Sequence, residues 1–299
     1  MKKNWLIALL IIPLLALIYR AQIKEVKSGD TQFLVVGKTA NYRQDQNSSF
    51  REMLNYHFFA EIFVKAGGKI TNGTLSNSSI DIMNFEDHPS TLETHGGRYN
   101  NEENLNASYP NGEYLFRYIE KGDQVFHIPV TLTNKDDGQT RIPRSPTIIL
   151  KQDGNLVSPV AINPDKDLNI SWIPFSEGGV DKNGLVDDLI FAVVGNCLGE
   201  KIFHSGVPFS GLKYLTYNDN DVIINKDIMD PGGFYQVSVE HAVMDTNYVG
   251  NVPTIATYAA TSFLDFNTSG EKTGRLNCKN SPLQMDKGQT DRNKASSNK

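Results

Sequence analysis

The sequence predicts an all-β protein made of two sandwich domains in tandem. Three observations carry this. Apolar and polar residues alternate at period two in short runs, the pattern of half-buried strands. Clusters of Gly, Pro, Asn and Asp separate those runs, and the 24 Gly and 13 Pro supply the turns a many-stranded fold needs. No long helical pattern alternates with the strands, which argues against a parallel α/β sheet. A chain of 299 residues divides into about two domains, each large enough to bury its own core.

Residues 1–20 come first. Lys2 and Lys3 precede an uncharged apolar run, residues 5–18, interrupted only by Pro13. This is the layout of a secretory signal peptide, and the run is short for a bilayer span of about 20 residues. Leu14 and Tyr19 stand where small residues would favour cleavage after Ala16 or Ala21, so an uncleaved N-terminal membrane anchor is the alternative. Either way the body is expected to be exported: periplasmic, secreted or held at the cell surface. Residues 21–30 read as a polar linker.

The first domain is expected over residues 28–155. Residues 32–36 form a strand candidate and residues 54–64 a stronger one. There Leu54, Tyr56, Phe58, Ala60, Ile62 and Val64 make a wholly apolar face, while Asn55, His57, Phe59, Glu61 and Phe63 make a mixed one. Ala66-Gly67-Gly68 marks a turn before a strand at 69–75. Residues 84–108, with Glu86-Asp87-His88-Pro89, His95-Gly96-Gly97 and an Asn-rich run, read as a long loop. Strands at 113–119 and 124–132 form a hairpin, and 147–152 with 156–162 form a second one over Asp153-Gly154.

The second domain is expected over residues 160–268. Its strand candidates are 168–173, 188–194, 201–204, 221–225, 234–241 and 254–266. The tail, 269–299, is nearly devoid of apolar residues and is expected to be disordered. The two halves echo one another. Pro110-Asn111-Gly112-Glu113-Tyr114 matches Pro231-Gly232-Gly233-Phe234-Tyr235 at an offset of 121, each opening a strand. Tyr114, Phe116 and Tyr118 then share one face, as do Tyr235, Val237 and Val239. This points to duplication.

Ile170-Ser171-Trp172-Ile173-Pro174 resembles the second strand of fibronectin type III domains, whose Trp packs in the core. The segment from Ile228 through Asp230-Pro231-Gly232 to Tyr235 resembles that family's Pro-Gly-x-x-Tyr corner. The resemblance covers residues 160–268 and implies two immunoglobulin-like or fibronectin-type-III-like sandwiches, with Trp172 in the core and Tyr235 bracing a corner between sheets. The first half shares the Tyr motif and lacks the Trp.

Few residues suggest chemistry. Asp181, Asn183, Asp187 and Asp188 offer oxygen donors around Gly184, as a calcium loop does, although Leu185 stands where a donor is usual. The alternative is a plain polar loop. His88 and His95, with Glu86, Asp87 and Glu93, could serve zinc, at a spacing that matches no tight zinc signature. Cys197 reads as a small core residue; a bridge to Cys278 is the alternative in an exported chain. No catalytic motif is present and no cofactor is expected. The net charge of -5 disfavours nucleic acid, which calls for clustered Lys and Arg. The composite expectation is an exported, non-enzymatic binding module for protein or carbohydrate at the cell surface, touching membrane only through its N-terminal segment. Residues 84–108, with Tyr99 and Tyr109, are the expected contact surface. The alternatives are a structural spacer and an exported hydrolase.

Overall fold

A computed structural model of the chain describes residues 27–133, 141–179 and 184–271. The segment expected to be a signal or anchor, Asp181, Asn183 and all of the tail beyond residue 271 lie outside the described residues. Among the described residues no helix is long and apolar enough to cross a membrane.

Strands β1 (Thr31–Gln44), β2 (Arg51–Val64), β3 (Ile70–Asn77), β4 (Ile80–Asn84), β5 (Glu86–Asp87) and β6 (Thr91–Tyr99) are followed by the short helix α1 (Glu102–Ser108). Then come β7 (Gly112–Glu120), β8 (Gln124–Leu132), β9 (Ile148–Gln152), β10 (Asn155–Leu156), β11 (Leu168–Trp172), β12 (Asp188–Asn196), β13 (Lys201–His204), β14 (Asp221–Ile224), β15 (Phe234–Val249) and β16 (Val252–Asn267). In the first sandwich β1-β2-β6 face the sheet β4-β3-β7-β8. In the second, β9-β11-β14 face β13-β12-β15-β16. Lettered in the orders just given, both have strands A, B and E in one layer and C′, C, F and G in the other, so that strand F is β7 in the first sandwich and β15 in the second. The fold is a fibronectin type III-like sandwich, present twice.

The two tyrosines mark equivalent points, each at the start of strand F. Tyr114 is buried and donates its hydroxyl to the Pro110 carbonyl at 2.8 Å. Tyr235 is buried and accepts from the Asp230 amide at 2.7 Å. A backbone acceptor is the sequence expectation for Tyr235; the hydroxyl instead meets a donor, because the corner turns its Asp230 N–H inward. Trp172 and Ile170 share the second core with Leu150, Ile190, Val194, Tyr235 and Val237. Tyr114, Phe116 and Tyr118 meet Leu34, Val36, Phe58, Ala60 and Ile62 in the first. Fully burying such side chains stabilises by about 1.5–3 kcal/mol each.

The halves are not separate beads. β1 pairs in parallel with β16 from Leu34↔Thr254 to Arg43↔Phe263, giving one eight-stranded sheet, β13-β12-β15-β16-β1-β2-β6-β5. That sheet is the A-B-E layer of the first sandwich and the C′-C-F-G layer of the second. Both four-stranded sheets pack on its same face, since the even residues Ala256 and Tyr258 of β16 enter the first core and Leu264 and Phe266 the second. Alternation sends odd residues of β1, β2 and β16 to the opposite face, which no second sheet covers, although Val186, Phe209 and Tyr214 pack there with Phe33, Val35 and Ile255 in a third apolar cluster.

Several expectations need correction. Residues 84–108 are not a loop: β6 pairs with β2 from Phe63↔Thr91 to Tyr56↔Tyr99, and α1 is capped by Asn101. The backbone ladder carries this polar strand, whose side chains give little apolar signal. Tyr99 and Tyr109, expected to be exposed, are half-buried against the first core; Tyr109 stacks on Phe58 at 4.3 Å, and Gly96, lacking a Cβ, admits its ring. β9 lies inside the residues 28–155 expected for the first domain, yet it pairs with β11 of the second sandwich. Residues 156–162 keep only Leu156 in a strand, with Ile162 bridged to Thr268; Pro159 has no amide to donate. Cys197 is disulfide-bonded. The chain has one other cysteine, Cys278, outside the described residues.

Candidate functional site: a groove on the open sheet face

Beside the loop residues that cover one end, this face of the eight-stranded sheet is open. A groove of about 920 Å³ runs from Lys201 on β13 to His95 and Arg98 on β6. That volume suits a small ligand or a short segment of a larger one. The coil of the sheet shows in its electrostatics. Lys201 and Glu240 both act on Glu61, although they lie five and three strands away from β2 in the ladder.

One end of the groove is apolar. Phe33 stacks on Phe63 at 4.0 Å, and Phe209, from the loop after β13, tilts onto Phe33 at 5.6 Å. That loop is held by Gln32 Nε2, which donates to the Phe209 carbonyl at 3.0 Å. Val207 and Pro208 complete this wall. The floor beside it is made by Gly37. A Cβ there would lie 2.4 Å from Thr257 Cγ2 and 2.8 Å from Phe59 Cζ, so glycine lets the Phe59 ring lie across β1.

Polar groups line the remainder. Glu61 stands between Phe59 and Phe63 on its own strand face and opposite Glu93 on β6. Burial, then Glu93 and Glu240, push its carboxyl up to about 8, with Lys201 opposing. Glu240 faces Phe191 across β15 and β12 and accepts from Thr261 Oγ1 at 2.7 Å. Burial raises its pKa too, and the Thr261 bond only partly offsets this. His57 Nε2 and His95 Nδ1 approach to 3.0 Å. Burial, then Arg98 and His95, drive His57 down to about 2, so its ring is neutral. Glu93 reaches His95 at 3.6 Å and His88 at 3.9 Å. The two histidines considered for zinc therefore converge on one carboxylate, yet among the described residues no group of three His, Cys, Asp or Glu is placed to hold a metal.

The calcium candidates are divided. Asp188 is buried, and its two carboxylate oxygens accept from the Gly179 amide at 3.0 Å and the Tyr217 amide at 2.8 Å. Asp187 lines a different cleft, beside Arg141 and Asp245. Its backbone carbonyl accepts from Met244. On the covered face, Lys38 is fully buried and donates to Asn106 and Asn111, both at 2.6 Å. Burial lowers its amine to about 8, with Glu102 opposing. It ties the α1 corner to β1.

Of the residues lining the groove, only His95 is singled out from sequence, as a zinc candidate. A signal for the groove existed: β2 carries Phe59 and Phe63 on its mixed face, so both faces of that strand are partly apolar, the mark of a strand with something to cover on each side. No family model and no curated protein matches this chain. Among solved structures it is similar to the crystal structure of fibronectin type III domains 1–3 of chicken contactin 1, at 12% identity, covering 82% of this chain and 68% of that one, with a TM-score of 0.16. Overlap that low lends no weight; the fold rests on the strand order and the paired tyrosine corners.

Proposed function

We propose that the chain is an exported, non-enzymatic binding module whose ligand, a protein or a carbohydrate, seats in the open-face groove. The groove carries this reading: it is a preformed concavity with aromatic and apolar walls and a few converging polar groups, the makeup of a recognition site. The leader-like N-terminus and the acidic balance support export and disfavour nucleic acid. The test is a glycan and surface-protein binding screen of the full chain beside a Ser238→Trp variant. Ser238 faces the groove, and an indole there fills it. Loss of binding in the variant supports the reading; unchanged binding removes it.

One observation favours a second reading, hydrolysis. Glu61 and Glu240 share the groove, and a carboxyl raised to about 8 is protonated at neutral pH, as a general acid must be. Turnover of a bound glycan, abolished by Glu61→Gln with binding retained, would replace the non-enzymatic reading.

A further inference from the structure

We infer that the groove recognises an organic cation: an alkylammonium group on an apolar stem, held between Glu61, Glu240 and the phenyl rings beside them. This rests on the groove being the ligand site and names the chemistry that site selects.

Three observations carry it. The first is an acid without a partner. Among the described residues Glu61 makes no side-chain hydrogen bond and no ion pair, whereas its neighbour Glu93 is engaged by Thr91, His88 and His95. The second is a second acid on the same cavity, Glu240, whose one side-chain bond is to the Thr261 hydroxyl. The third is the aromatic wall. Phe59 and Phe63 flank Glu61 on β2, and Phe191 faces Glu240 across the ladder. Ring faces attract a desolvated cation, and a carboxylate beside them supplies its counter-charge and a strong hydrogen bond. An anion would oppose ionisation of the two acids, and a neutral apolar ligand would leave Glu61 desolvated with no donor to it.

The cations of the groove do not fill this place. Arg98 lies by His57 and His95, and Arg43 lies further along β1. Lys201 is exposed at the rim and forms no ion pair with Glu61, though its charge is felt there. The groups facing Glu61 are Glu93 and His95 on β6, Glu240 on β15 and Lys201 on β13, while Val35 beside it on β1 is apolar. A bound ammonium ionises Glu61, so binding releases a proton below about pH 8. Burial lowers the pKa of both histidines, His57 to about 2, so the His57 ring stays neutral through that range.

The experiment titrates the full chain with hexylammonium, hexanol and hexanoate by calorimetry from pH 6 to 9. Glu61→Gln and Ser238→Trp are titrated in parallel, each checked by thermal melting. Hexylammonium should bind, and more tightly than hexanol by about tenfold, the worth of one charge-assisted hydrogen bond. Its affinity should rise by up to about tenfold per pH unit below pH 8 and level off above. Glu61→Gln should abolish that advantage and the pH slope while leaving hexanol unchanged. N-acetyllysine amide and glucosamine then tell a lysine side chain from an amino sugar as the source of the ammonium. Equal binding of hexylammonium and hexanol, both lost in Ser238→Trp, would overturn the cation inference and leave the groove reading standing. No binding by any probe would overturn the inference and count against the groove as well.

Discussion

Replacing Trp172 by Ala tests how the two sandwiches depend on each other. Trp172 is 3% exposed and packs in the second core, with its indole N–H donating to the Asp219 carbonyl at 3.3 Å. Removing so large a buried ring costs about 3–5 kcal/mol. The carbonyl that loses its donor adds about 1 kcal/mol, on the scale of one hydrogen bond. Against a total stability of about 5–15 kcal/mol, this removes a large share of the folding free energy. The consequence should not stop there. β16 gives Leu264 and Phe266 to the second core and Ala256 and Tyr258 to the first, and it forms the long parallel ladder with β1. Losing β16 therefore strips the first sandwich of its sheet neighbour. Calorimetry should show one transition in wild type and variant, moved down in temperature. Hydrogen exchange should show amides of Tyr114, Phe116 and Tyr118 losing protection together with those of β15. Two resolved transitions, with β7 protection unchanged in the variant, would refute this coupling.

Further outcomes follow from single residues. Glu120 is buried and accepts from the hydroxyls of Ser28 and Thr31 and the amides of Gly29, Asp30 and Thr31, which outweigh the opposing effect of burial and lower its pKa. A depressed carboxylate stabilises above its unfolded value, about 4.3, and that contribution is lost as pH falls through the folded value. Glu120→Gln should thus cost about 1–3 kcal/mol at pH 7 and nothing near pH 2, read by urea unfolding. Lys38 has a slope of the same sign at higher pH: its folded amine, at about 8, lets go of a proton that the unfolded chain keeps to about 10.4. Stability should rise across that window by up to roughly 3 kcal/mol, and the rise should vanish in Lys38→Met. Gly37→Ala puts a Cβ against Thr257 and Phe59 and should cost about 1–3 kcal/mol, partly recovered by adding Thr257→Ser.

What the sequence disclosed and what it hid have physical causes. Alternation in residues 54–64 revealed the buried face of β2 because Phe58, Ala60 and Ile62 all enter one core. The Pro-x-Gly-x-Tyr echo revealed the two F strands because a turn residue and a corner tyrosine are local features. The β1·β16 ladder left no such trace. A parallel pair joining residues 34–43 to 254–263 has no turn to announce it. Its one sign was that β16 is buried at almost every position, as strands covered on both faces are. β6 was hidden by its Thr, Glu, His and Gly, whose place is set by pairing with β2. The groove draws on strands from β13 to β6, so its residues have no common spacing in the chain. Glu61 was seen as one polar member of a mixed face; only the coil of the sheet brings Glu240 within its influence.

The most direct test of the account is the binding screen with the full chain and its Ser238→Trp variant, both shown by melting to be folded. The account predicts that a protein or glycan retained by the wild type is lost when the indole fills the groove, with the melting temperature changed little. A ligand bound equally by both would contradict it and place recognition elsewhere on the molecule.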